Sequence, residues 1–172
     1  DRAVDLVEES VDCVLRVDHL SDSTLVARAI GTLPLITVAS RSYLDRHGIP
    51  RTPDDLGPHW VVNYASPSTG KVEPWEWMEG DLLRTMAADG RVTVNNAEAY
   101  IACCLAGLGL IQIPAYDVRH HIEAGDLVEV LHDYRAEALP MTLLYPPRQH
   151  LLRRVQVFAD WLTVLMKQAI AR

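Results

Sequence analysis

The chain has 172 residues, 49% of them hydrophobic and 23% charged, with 16 basic against 23 acidic side chains and a net charge of −7. That length holds one large domain or two small lobes, and the balance is that of an ordinary globular protein without repeats or biased stretches. Two classes are excluded: apolar runs such as Leu108–Ile111 fall far short of the roughly 20 residues a membrane helix needs, and an acidic chain without a basic, aromatic-interleaved stripe repels a phosphate backbone.

In chain order, Ala3, Val4, Val7 and Val11 share one side of an amphipathic opening helix, with Asp5, Glu8 and Glu9 elsewhere. Val11–Leu15 then reads as a mostly buried strand and Leu33–Ala39, rich in β-branched residues, as another, with Ser21–Ser23 marking a loop between them. Ser40 can cap a helix over Arg41–His47 by accepting a free N–H of its first turn, and Gly48 suits a left-handed exit. Thr52-Pro53-Asp54-Asp55-Leu56-Gly57 repeats that pattern on a smaller scale.

Trp60–Tyr64 and Trp75–Met78 are expected strands around a polar loop, and Arg91–Asn95 alternates as a half-exposed strand does. Asn96 can cap a helix to Ala106, after which Leu108–Ile113 returns as a buried strand ending at Pro114. Strand, helix, strand predicts a parallel crossover. A helix over Tyr116–Ala124 stops at Gly125, strands follow at Leu127–Leu131 and Leu139–Tyr145, and a long amphipathic helix repeats apolar residues from Leu151 to Ala169.

Ligands in open α/β sheets bind beyond the carboxyl ends of strands, where loops diverge and helix N-termini present unpaired N–H groups. Arg16 follows Leu15, Asn95 and Asn96 follow Val94 at a helix start, and Gln112 precedes Pro114; Tyr64 and Pro114, closing their own strands, complete the candidate effector-binding set. Free N–H donors at a helix start, with an arginine fork, suit a small anion such as an organic acid. A purely structural account stands beside this one: Asn96 capping its helix, Arg16 paired with Asp18 or Asp22, and Gln112 solvated.

The series Asp1–Glu9, Val11–Arg16 and Asp22–Arg28 resembles, in order and spacing, the effector-binding (substrate-binding) domain of LysR-type transcription regulators. The similarity continues through Ala39-Ser40-Arg41-Ser42-Tyr43-Leu44-Asp45-Arg46-His47-Gly48, Thr52–Leu56, Val94–Ala99, Ala106–Gly109 and Gly125–Val128, and so covers almost the whole chain. The resemblance implies an α/β, two-subdomain fold of the periplasmic-binding-protein type (type 2). Its lobes are joined by two crossover strands, near Leu33–Ser40 and Leu139–Tyr145, with a small effector held between them. Residues 1–40 and 139–172 are then the first subdomain, incomplete because family members place a strand and helix ahead of this chain's start, and residues 41–138 the second. It further implies a winged helix-turn-helix domain, absent from this sequence, as the sole DNA contact, self-association as a homodimer or tetramer, and neither cofactor nor catalysis. The alternative is the solute-binding protein of a transporter, and a third reading is an enzyme sharing the fold.

Sharper readings fail on geometry. Gly107-Leu108-Gly109 follows a helix and precedes a strand, the reverse of a nucleotide-binding turn. His120 and His121 are adjacent, without the i,i+4 spacing of a metal pair, and Glu73, Glu76 and Glu79 beside Trp75 and Trp77 have nothing to hold a substrate between them. Cys13, Cys103 and Cys104, an odd count in apolar surroundings, are expected as reduced core thiols; with an opening that lacks the signal-peptide pattern, they point to the cytoplasm.

Overall fold

The computed structural model describes residues 11–17, 25–67, 69–147 and 153–170. In chain order these contain β1 (Val14–Val17), β2 (Val26–Leu33), β3 (Leu35–Ser40), α1 (Arg41–His47), a 3-10 turn at Pro53–Leu56, β4 (Val61–Tyr64), β5 (Trp75–Glu79), β6 (Leu82–Met86), β7 (Gly90–Val94), α2 (Ala97–Leu105), β8 (Ile111–Pro114), α3 (Ala115–Ala124), β9 (Leu127–Val130), β10 (Leu139–Tyr145) and α4 (Arg153–Ile170). The expected opening helix and the Ser21–Ser23 loop lie outside the described residues, as do Leu151 and Leu152. The chain divides into a larger unit over Pro34–Glu137 and a smaller one built from the segments that end at Leu33 and resume at Ala138.

In the smaller unit β10 lies between β1 and β2 and pairs antiparallel with both. Its alternate residues Met141, Leu143 and Tyr145 form a buried cluster with Ile30 and Leu33 of β2 and with Val155, Ala159 and Leu162 of α4. The 155/159/162 spacing is one helical stripe, which is why this face of α4 docks on the sheet. Each fully buried aliphatic side chain there is worth roughly 1.5–3 kcal/mol. The flank Val157, Phe158, Trp161, Val164 and Leu165 remains exposed, as do Leu15 and Val17 of β1.

Strand β2 was not expected, and its irregularity is the reason. The register slips between Met141 and Thr142, so that Gly31 and Ala29 are their partners and Ile30 is the extra residue of a bulge. Arg28, 2.6 Å from Asp160 of α4, also interrupts the apolar face. The expected strand Leu33–Ala39 is broken at Pro34, which has no N–H for a ladder.

In the larger unit β3 pairs antiparallel with β8 and β9, and β4 pairs parallel with β7. Leu110, just before β8, bridges Val61 in parallel, so β7–α2–β8 is a parallel crossover with β4 between its strands. One face of these strands buries Ile36, Val38, Val62, Ile111 and Ile113 against Tyr100 and Cys104 of α2 and Val118 of α3. The other buries Ala39, Val61, Leu110 and Val130 with Tyr43 and Leu44 of α1 and Trp75 of β5. Strand β3 is buried at all six positions, as a strand covered on both faces must be. It therefore lies wholly within the larger unit, which begins at Pro34 and ends at Glu137.

Local chemistry sets the remaining ends. Ser40 Oγ accepts from Tyr43 N at 3.3 Å, capping α1, and Asn96 Oδ1 accepts from Ala99 N at 2.9 Å, capping α2. Thr52 is the N-cap of the 3-10 turn and Asp55 completes a capping box: its carboxylate accepts from the backbone N–H groups of Arg51 and Thr52, each at 2.9 Å. Gly109 lies so close to β4 that a Cβ there would be 2.6 Å from Trp60 O. The hairpin β5–β6, joined through Gly80 and Asp81, escapes sequence reading at β6 because four of its five residues are exposed and show no alternation.

Candidate functional site

The start of α2 gathers three of the six candidate residues, Tyr64, Asn95 and Asn96. Tyr64 and Val94 are partners in the parallel β4–β7 ladder, so Asn95 and Asn96 emerge directly beside the end of β4, where Ala65 N donates to Val94 O at 2.7 Å. Asn95 is exposed and Asn96 half-buried. One turn into the helix, the ring of Tyr100 packs 5.2 Å from that of Tyr64, and its hydroxyl accepts from Gln112 N at 3.2 Å. Tyr64, Tyr100 and the Gln112 backbone thus form a continuous path from β4 through α2 to β8.

The Gln112 side chain points elsewhere. Its Nε2 donates to Glu76 O at 2.7 Å and its Oε1 accepts from Glu76 N at 3.1 Å. Both ends of the amide are engaged by the backbone of one residue of β5, a brace between sheet and hairpin that neither reading of this residue anticipated. Pro114 pairs with Leu35 at the end of β8, and Ala115 N donates to Pro34 O at 2.9 Å. Arg16 belongs to the smaller unit, on β1 opposite Thr142.

The electrostatics near α2 are acidic. Burial pushes the Tyr64 hydroxyl above its ordinary value, and Glu73 and Glu98 push it further. Asp117, in the first turn of α3, is raised by burial; a hydrogen bond from Tyr116 works against the rise, and Glu98 adds to it. Burial drives Tyr100 well above the tyrosine range. Tyr100, Glu98 and Asp117 were not singled out in the sequence, where Tyr100 and Glu98 read as ordinary positions of a helix. The signal available was that both follow the Asn96 cap within one turn. Among the described residues, no three His, Cys, Asp or Glu side chains converge as a metal ion would require, and no helix is long and apolar enough to cross a membrane.

Comparison with known proteins resolves what this arrangement belongs to. The family model described as "LysR substrate binding domain" matches residues 1–166. The chain belongs to that family. An HTH-type transcriptional regulator of Escherichia coli K12, YhjC, is 43% identical over 170 residues, spanning 98% of this chain and 56% of the relative. The HTH-type transcriptional activator AaeR of the same strain is 32% identical over 162 residues, spanning 94% of this chain and 52% of its own length. The regulatory domain of CrgA, a LysR-type regulator from Neisseria meningitidis, superposes with a TM-score of 0.78 at 26% identity, covering 91% of this chain and 76% of that one.

The chain therefore has the α/β fold of LysR regulatory domains, of the type 2 periplasmic-binding-protein kind, and is the effector-binding domain of this family. It spans about half the length of the curated relatives it matches. Those relatives are named as transcription regulators, which leaves the transporter alternative unfavoured.

Proposed function

We propose that this LysR substrate-binding domain is the sensing part of a cytoplasmic DNA-binding transcription regulator, that it works without catalysis, and that a small-molecule effector controls it. The family match over residues 1–166 carries the reading. The effector is held by residues drawn from Arg16, Tyr64, Asn95, Asn96, Gln112 and Pro114, with the smaller and larger units acting as the two subdomains, and DNA contacted only by a winged helix-turn-helix domain outside this sequence. Effector binding shifts the equilibrium between two arrangements of a homodimer or tetramer.

The free N–H groups at the start of α2 and the Arg16 fork favour a small organic acid. Against it stand Glu73, Glu98 and Asp117, whose carboxylates act on the Tyr64 and Asp117 end of the larger unit. A thermal-shift screen of carboxylates, amines and neutral metabolites on the full-length regulator separates the two, since a ligand specific to the native state raises the melting temperature. Stabilisation by carboxylates alone supports the acid; stabilisation by amines alone replaces it. A screen in which no small molecule changes either melting temperature or DNA affinity overturns the sensing role. The mass in solution tests self-association, and a monomer at high micromolar concentration counts against it.

A further inference from the structure

The corner where α1 meets the start of β4 holds two histidines and a tyrosine that the effector reading does not use. Tyr43 is only 1% exposed, and its hydroxyl accepts from Trp60 N at 2.8 Å while lying 3.3 Å from Trp60 O and 3.2 Å from His59 Nδ1. His47, one turn further along α1, stacks on the Tyr43 ring at 4.4 Å between centroids with the planes 24° apart. The rings of His47 and His59 are 6.5 Å apart, and His59 is 6% exposed. One hydroxyl thus joins α1, the entry to β4 and a buried imidazole.

We propose that Tyr43, His47 and His59 form an acid-sensitive latch, which holds the end of α1 against the start of β4 while the His59 imidazole is neutral and loosens as it takes up a proton.

The surroundings decide the direction. Burial makes a charged His59 costly, and His47 repels it; the Asp55 carboxylate of the 3-10 turn offsets part of this, and the balance lies below the ordinary histidine value. Arg46 of α1 and Arg91 of β7 also act on Tyr43, the latter stacked 3.9 Å over the Trp60 ring. The Asp55 carboxylate that acts on His59 is already engaged by the backbone N–H groups of Arg51 and Thr52. A group depressed in the folded state binds more protons when unfolded. Stability is therefore full above the unfolded value of 6.5 and is lost as pH falls below it toward the folded value. Each unit of depression weakens the folded state about tenfold at low pH.

The test is a histidine NMR titration of the whole chain from about pH 8 to 5, paired with amide hydrogen exchange of residues 41–47 and 59–62, corrected for the intrinsic pH dependence. His59 is expected to titrate below the ordinary value, and exchange in those two segments to rise several-fold on acidification relative to β3 and β8. His47→Gln should move the His59 titration upward and reduce the rise; His59→Gln should abolish it. If His59→Gln does not fold, His47→Gln still decides. Titration of His59 at or above the ordinary value, or an identical exchange profile in His47→Gln, overturns the latch.

Discussion

Replacing Gln112 with methionine separates a brace from a ligand contact. The amide joins β8 to β5 through two hydrogen bonds, 2.7 Å to Glu76 O and 3.1 Å from Glu76 N. Methionine is close in length and volume, so no cavity forms, and the loss is confined to the two bonds. A neutral hydrogen bond contributes about 0.5–1.5 kcal/mol net, which sums to about 1–3 kcal/mol for the pair. Gln112 and Glu76 are half-buried, and water can partly replace the amide, which places the cost toward the lower end. For a unit of this size about 1 kcal/mol is a fall of about 4–8 °C in melting temperature. Urea unfolding followed by tryptophan fluorescence reads the loss directly, because Trp75 and Trp77 flank the braced residue. An unchanged unfolding midpoint would refute the brace. Unchanged stability with effector binding abolished would instead make Gln112 a ligand group.

Asn96→Ala should cost the larger unit about 1 kcal/mol through loss of the α2 cap, whereas Asn96→Ser keeps an acceptor and should cost less; circular dichroism melts distinguish them, and equal losses would show that the cap contributes nothing. Thr37 Oγ1 is buried without a hydrogen-bond partner, so the near-isosteric Thr37→Val should raise stability by about 1 kcal/mol; a lower melting temperature would mean that the hydroxyl is satisfied in solution. Burial pushes the Cys104 thiol up to about 12, and the thiolate is the reacting form. Iodoacetamide at pH 8 followed by peptide mass spectrometry should therefore label the half-buried Cys103 well before Cys104, and equal labelling would contradict that burial.

Much of the architecture was legible because the relevant forces are local. Ser40, Asn96, Gly48 and Gly125 are cap and exit residues wherever a helix begins or ends, and all four perform that role. The β-branched run within Leu33–Ala39 signals a strand covered on both faces, as β3 is. What escaped were elements whose signal is broken by partners distant in sequence: β2, whose bulge and Arg28 make sense only against β10 and Asp160 of α4, and β6, which pairs with β5 but buries almost nothing.

The candidate site divides in the same way. Sequence marked Asn95 and Asn96 because a cap is a property of a few neighbouring residues, and it marked Tyr64 because a strand end is visible in the pattern. It did not assign Tyr100 its place between Tyr64 and Gln112, nor the turn of the Gln112 amide toward Glu76. By itself the sequence determined which segments become helix or buried strand and which family they compose, since propensity, capping and hydrophobic period act within a few residues. Only the tertiary structure decided which strand lies beside which and where each polar side chain finds its partner, because those choices depend on backbone groups supplied from 36 positions away, as Glu76 is for Gln112.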